Sequence, residues 1–295
     1  MKKIKKFATI DIGSNAIRLL ISNVIVRDNF PTETTKNALV RVPIRLGQDA
    51  FTSGIISEKN ISRLVDSMKA FKLLMKVHKV EKYLAYATSA LRSSKNGLNI
   101  LKEIKSKSGI SIKIIDGKKE GALITNDKMF NEIDDLEIFC LIDVGGGSTE
   151  LTIFKGGKIL KSKSFKIGGV RLINGLVTKK TWESFNSWIS NNLIAYKNIR
   201  IVGFGGNINK IYKISGVKIG SPLPIKKLNS VISKLEKMSD LDKTLILKLN
   251  PDRIDVIVPA GKIYQLLLNS IGIKQIEVPK IGLADGMVSE LLNGL

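Results

Sequence analysis

The sequence predicts an α/β protein in two domains, each laid out on the same plan. Three observations carry that reading. Strand-like and helix-like patterns alternate along the chain. Two apolar runs each end in an acid and a glycine turn: Phe7–Ile10 leads into Asp11-Ile12-Gly13-Ser14-Asn15, and Ile138–Ile142 into Asp143-Val144-Gly145-Gly146-Gly147-Ser148-Thr149-Glu150. The elements that follow the first turn recur, in order, after the second.

In the first half, Ala16–Val26 and Ala38–Leu46 read as a hairpin or meander. Ile61, Leu64, Val65, Met68, Phe71 and Met75 then fall at helical spacing. Tyr83–Ala87 is a short strand, Ile100–Lys107 a helix stopped by Gly109, and Ile112–Ile115 a strand ending in a turn at Asp116-Gly117. In the second half, Leu151–Phe154 and Lys158–Phe165 flank a Gly156-Gly157 turn, and a helix carries Trp182, Phe185, Trp188 and Ile189. Ile199–Val202 is a strand entering Gly203-Phe204-Gly205-Gly206-Asn207. Helices follow at Leu228–Met238 and 260–271, then a strand at Gln275–Val278 and a helix at Ala284–Leu292. Gly117-x-x-Glu120-Gly121 and Gly282-x-x-Asp285-Gly286 repeat one pattern at matching strand-to-helix junctions, which points to duplication. With no low-complexity linker, the halves are expected to pack around a cleft. Ligands of open α/β sheets sit at the carboxyl ends of the strands, where these turns fall.

Composition narrows the function classes. The 295 residues, 43% hydrophobic and 25% charged, suffice for a sizeable core. The single cysteine, Cys140, lies in an apolar strand, which fits a reducing, cytoplasmic compartment. The basic start Met1–Lys6 is followed by an apolar stretch that stops at Asp11, too short for a signal sequence, and no run is long enough to span a membrane. The net charge of +22 attracts polyanions. It equally describes a lysine-rich solvated surface, since only nine of the 48 basic residues are arginines. Aromatic residues are few and not interleaved with the basic runs, so a nucleic-acid stacking platform is not expected.

The two turns carry the chemistry. Converging backbone amides bind phosphate oxygens, and the leading acid can hold a divalent cation beside them. In the second turn Gly145, Gly146 and Gly147 allow close approach, while Ser148 and Thr149 add hydroxyls. A tight hairpin turn is the plainer alternative. In the first, Gly13, Ser14 and Asn15 form the turn and Arg18 follows on the adjoining strand. Thr88-Ser89-Ala90-Leu91-Arg92-Ser93-Ser94-Lys95-Asn96 offers hydroxyls and a guanidinium to an anion, or simply caps a helix. Glu120 opens a helix, either complementing its dipole or serving as a general base. Asp11, Asp143 and Glu150 are the candidate ligands of Mg²⁺ (or Mn²⁺). His78 and Cys140 read as structural, no His/Cys cluster has zinc spacing, and no P-loop signature occurs.

Ile10–Asn15 with Arg18-Leu19-Leu20, Ala87–Arg92 with Asn96, and Asp143–Leu151 together resemble the Ppx/GppA phosphatases, the exopolyphosphatases and guanosine pentaphosphate phosphohydrolases. Val170-Arg171-Leu172, Gly203–Gly206, Arg253–Ile257 and Gly282–Gly286 follow the same pattern. The resemblance implies the duplicated actin-like (ribonuclease-H-like) fold around a central cleft. One domain would span residues 1–122, completed by the C-terminal helix 281–295, and the other residues 123–280. It also implies Mg²⁺-dependent release of a terminal phosphate from polyphosphate or guanosine pentaphosphate, and it admits a homodimer. Glu120 matches the proposed catalytic base, Asp143 and Glu150 the metal and water-positioning acids, and Arg92 a phosphate-contacting arginine. Lys119 replaces the first of the family's paired glutamates, Gly169 stands where many members carry cysteine, and the extra helical domains of longer members are not expected here. An actin-like ATPase or sugar kinase, with Asp143 as base, and a non-catalytic polyphosphate or nucleotide sensor are the readings from other classes.

Overall fold

A computed structural model describes residues 2–27, 32–125, 137–196 and 198–293. The chain forms two compact units, residues 1–127 with 281–295, and residues 128–280.

The first unit opens with antiparallel β1 (Lys2–Ile12), β2 (Ile17–Arg27) and β3 (Glu33–Val42). A short helix, α1 (Leu46–Thr52), follows, although Leu46 was expected to end a strand. The residue before it is Arg45 in the left-handed region (φ 60°), with no side-chain cap, so nothing in the local sequence announces a helix start. α2 (Glu58–Val77) buries the six-residue apolar stripe read from the sequence. It delivers the chain to β4 (Lys82–Ala87), parallel to β1. Next come α3 (Ser89–Ser93), α4 (Gly97–Ser108), which ends at Gly109 (φ 73°), and β5 (Lys113–Ile114), parallel to β4. Asp116 and Gly117, expected to form a turn, instead start α5 (Gly117–Thr125): Asp116 Oδ1 accepts the Lys119 N–H at 2.8 Å, as an N-cap acid does. The domain boundary expected at 122/123 falls inside this helix. The sheet order is β3-β2-β1-β4-β5.

The second unit repeats the frame. β6 (Ile138–Val144), β7 (Thr149–Lys155) and β8 (Lys158–Phe165) form the antiparallel meander, and the short α6 (Gly169–Ile173) takes the place of α1. α7 (Lys179–Asn192), capped by Thr178, leads to β9 (Arg200–Phe204), parallel to β6. α8 (Gly206–Ser215) was not read from the sequence; its buried Ile208, Ile211 and Tyr212 do sit at helical spacing. Then come β10 (Leu223–Pro224), α9 (Ile225–Lys237), α10 (Asp240–Leu245), α11 (Ile257–Ser270) and β11 (Gln275–Ile276). The sheet order is β8-β7-β6-β9, and a parallel bridge from Val202 to Glu277 brings the β11 segment alongside β9, where the first unit has β5. α7, α8, α9 and α11 cover this sheet with a continuous core that includes Phe165, Phe185, Ile208, Leu228, Tyr264 and Leu267.

The final helix, α12 (Leu283–Asn293), belongs to the first unit. Thr9 Oγ1 donates to the Ala284 carbonyl at 3.0 Å, Gly286 lies against the Leu123 carbonyl of α5, and Lys36 pairs with Asp285 at 2.8 Å.

Candidate functional site

Both turns are built alike. Each closes a hairpin through one backbone bond, Gly13 N–H to the Ala16 carbonyl (3.2 Å) and Gly145 N–H to the Ser148 carbonyl (2.9 Å). In each unit the helix after the third strand then takes up the turn's carbonyls. Gly47 N–H donates to the Ser14 carbonyl (2.7 Å) and Arg45 N–H to that of Asn15 (3.0 Å). In the second unit the carbonyl of Gly145 accepts from Gly169 N–H (3.0 Å), that of Gly146 from Val170 N–H (2.8 Å), and that of Gly147 from Arg171 Nε (2.8 Å). No peptide here is cis, so each amide following a held carbonyl points the opposite way. The amides of Asn15 and Ala16, and of Gly146, Gly147 and Ser148, therefore face away from their supporting helices. An anion-binding turn needs its amides free of such internal carbonyl partners and turned outward in this way. Gly168 makes this possible in the second unit, because a Cβ there would stand 2.5 Å from the Gly146 carbonyl oxygen.

Charge separates the two hairpins. Asp11, at the end of β1, lies opposite Arg18 of β2, and Arg18 lies opposite Arg41 of β3. The Arg18 guanidinium holds the buried Asp11 carboxylate at 2.5 Å. At the matching place in the second unit, Asp143 of β6 lies opposite Glu150 of β7, and Glu150 opposite Ser164 of β8, whose hydroxyl donates to Glu150 Oε1 at 2.7 Å. Cross-strand partners share a sheet face with Cβ atoms about 5 Å apart, so Asp143 and Glu150 form a two-carboxylate set. Among the described residues no three His, Cys, Asp or Glu side chains gather into a metal-binding group. Mg²⁺ is commonly held by one or two carboxylates, with water and substrate phosphate oxygens completing the shell, so this all-oxygen pair suits it.

The remaining expected residues divide. Ser14 Oγ and Ser89 Oγ are 2.8 Å apart, linking the first turn to the start of α3. Thr88 does not cap that helix; its hydroxyl donates to the Ile12 carbonyl at 3.4 Å. Arg92 donates to the Ile115 carbonyl and to Glu120 Oε1, the latter at 3.0 Å, so the expected base and the expected phosphate arginine form an ion pair. Asn96 is spent on structure, its side-chain amide clasping the backbone N–H and carbonyl of Ile56. Thr149 is fully buried and its hydroxyl donates to the Ile167 carbonyl at 2.7 Å, so its proton anchors the turn from behind rather than meeting an anion. Cys140 is core, and burial pushes its thiol up to about 12.

Lys119 is balanced locally. Its ammonium pairs with Glu290 Oε2 of α12 at 2.9 Å, and the Tyr86 hydroxyl donates to Oε1 at 2.8 Å. Burial and then Glu290 push the Tyr86 phenol up to about 12. Glycine at 169 has a packing reason: a Cβ there would come within 3.1 Å of the Val256 side chain. Sequence reasoning missed Arg41 beside Arg18 and the buttressing role of Arg171. Once the hairpin register is drawn, the first could be found by counting along it; the second has no local signal. Burial lowers the Arg171 guanidinium from its ordinary value.

Comparison with known proteins follows the same lines. The profile of the Ppx/GppA phosphatase family matches residues 38–294. A bifunctional 3-dehydroquinate synthase/phosphatase of Fusobacterium nucleatum is 27% identical across 98% of this chain, which spans only 46% of that protein. Exopolyphosphatase 1 of Mycobacterium tuberculosis is 18% identical, covering 98% of this chain and 88% of its own. A guanosine-5'-triphosphate,3'-diphosphate pyrophosphatase of Photobacterium profundum is 24% identical, covering 97% of this chain and 59% of its own. In structure, an exopolyphosphatase from Cytophaga hutchinsonii superposes with a TM-score of 0.83 at 23% identity, covering 99% of both chains. That likeness gives the fold, the duplicated actin-like architecture. Among the described residues no helix is long and apolar enough to cross a membrane. The chain belongs to the Ppx/GppA phosphatase family, whose members are phosphoanhydride hydrolases.

Proposed function

We propose that this protein releases the terminal phosphate of inorganic polyphosphate by metal-assisted attack of water. The observation that carries the reading is the pair of like hairpins with unlike charge, Asp11–Arg18 and Asp143–Glu150, together with Glu120 held by Arg92. Phosphoryl transfer to water needs donors on the transferring group, neutralisation of its charge, and an oriented nucleophile. In the second unit the amides of Gly146, Gly147 and Ser148 are suited to donate to phosphate oxygens; in the first, those of Asn15 and Ala16 are, while the Gly13 N–H is spent on closing its turn. Asp143 and Glu150 would hold Mg²⁺ (or Mn²⁺), which would supply charge neutralisation, whereas the Asp11 carboxylate, expected to join them, is held by Arg18. In the second unit Glu150 is suited to orient a water, and in the first Glu120 is suited to accept a proton. Arg18 and Arg92 engage the phosphate. A phosphate that draws on the Arg92 guanidinium competes with Glu120 for it. The net charge of +22 suits a polyanionic substrate, and the Mycobacterium tuberculosis relative is named an exopolyphosphatase. The lone, buried Cys140 suits the reducing cytoplasm.

A second reading, removal of the 5'-terminal phosphate of guanosine pentaphosphate by the same groups, is favoured by the Photobacterium profundum relative's name. The test is phosphate release from polyphosphate and from guanosine pentaphosphate with Mg²⁺, comparing kcat/KM. Glu120→Gln is expected to lower kcat by roughly 10²–10⁴-fold, the range for loss of a general base. No release from either substrate by the unaltered protein, or undiminished release by Glu120→Gln, contradicts the reading.

A further inference from the structure

Tyr264 of α11 is fully buried, yet its hydroxyl is placed at the catalytic end of the second sheet. The parallel ladder between β6 and β9 ends at the pair Asp143–Phe204. One step beyond, the Val144 N–H donates to Tyr264 Oη at 3.3 Å, and the Tyr264 O–H donates to the Phe204 carbonyl. The phenol thus adds a side-chain rung where the two strands would otherwise begin to splay. Gly205 comes next, with φ at 100°, and a Cβ on it would stand 2.8 Å from Asp143 Oδ1 and 3.8 Å from Tyr264 Oη. The Asp143 carboxylate is therefore seated directly against the backbone that the phenol fixes.

We propose that Tyr264 is a positioning residue that sets the Asp143–Glu150 carboxylate pair by tying the ends of β6 and β9 together. This rests on the reading of those acids as the metal-holding pair. The donor–acceptor arrangement requires a neutral phenol, because the proton must lie toward Phe204 while the oxygen accepts from Val144. Burial first, and then the negative charge of Asp143, hold the phenol well above its ordinary value, so it keeps its proton. A hydrogen-bonded hydroxyl buried in an otherwise apolar helix face is costly to leave unmet, so both partners constrain where it can sit.

The test removes one oxygen atom and keeps the ring. Tyr264→Phe is compared with Leu267→Val, a buried change on the same helix that spares the ladder. Mn²⁺ alone is titrated by electron paramagnetic resonance, and kcat, KM and Tm are measured. Tyr264→Phe is expected to weaken Mn²⁺ binding and to lower kcat, each about five-fold or more, the scale of a lost buried hydrogen bond, with KM changing less than about two-fold. Leu267→Val should lower Tm alone. If Tyr264→Phe behaves like Leu267→Val, with Mn²⁺ affinity and kcat unchanged, the inference is overturned. An unaltered protein that binds Mn²⁺ but releases no phosphate sinks the proposed function instead, and the Mn²⁺ comparison still decides the role of Tyr264. An unaltered protein that binds no Mn²⁺ overturns both.

Discussion

The hairpins β1–β2 and β6–β7 share strand order, turn closure and a supporting helix, yet differ at the position facing the leading acid. In the first hairpin that position is Arg18, bound to Asp11 at 2.5 Å; in the second it is Glu150, beside Asp143. A duplicated frame preserves backbone geometry because its hydrogen bonds are made by main-chain atoms, whatever the side chains. One residue on the second strand can then change sign and hand each copy a different task. On the proposed function, the first copy offers its cations to phosphate, with Arg41 next in register to Arg18. On the same reading the second offers two carboxylates to a hard cation, with the Ser164 hydroxyl supporting one of them. The supporting helix differs as well: two carbonyls of the first turn are held, against three in the second.

The largest expected effect removes the contrast from the second hairpin. Glu150→Gln keeps an acceptor for Ser164 and deletes the charge, so folding should persist while kcat drops by roughly 10²–10⁴-fold, the range for loss of a proton-handling or water-positioning group. Phosphate-release kinetics on a variant of unaltered Tm check this. Next comes the backbone beneath the turn. Gly168→Ala would put a methyl 2.5 Å from the Gly146 oxygen. Overpacking of this kind costs about 1–3 kcal/mol, and a displacement on the order of 1 Å can lower rate about 10²-fold. Loss of activity with a modest fall in Tm is the expected pair of results; unchanged activity would mean that the buttress does not set the amides. In the first hairpin, Arg18→Ala should act mainly on KM, raising it about ten-fold as one charge-assisted contact is lost.

Most of the frame was legible in the sequence because it rests on long patterns. The α2 stripe from Ile61 to Met75 announces itself by periodicity, and β1 and β6 by apolar runs that lead into Asp11 and Asp143, each one residue short of its strand end. What escaped was short or carried by backbone. α1 spans seven residues and begins at a left-handed Arg45, so it has neither periodicity nor a cap. Asp116-Gly117 has the composition of a turn, but the acid's partner, the Lys119 N–H, is visible only in three dimensions. Of the site, the residue types could be read and their commitments could not: nothing local says that the Thr149 hydroxyl turns to Ile167 or that Asn96 clasps Ile56. Cys140 gives the smallest effect. With its thiol pushed up to about 12 by burial, it stays protonated at neutral pH and should not react with a thiol reagent such as DTNB until the protein unfolds. Rapid labelling of the native protein would show that the second sheet is not closed around it.

The central claim, that one frame serves a cation in one copy and an anion in the other, is tested most directly by titrating Mn²⁺ into matched variants. Glu150→Gln should lose most of the Mn²⁺ affinity of the unaltered protein, whereas Arg18→Gln should retain it. Equal loss in both variants, or loss in Arg18→Gln alone, would contradict the division of labour between the two hairpins.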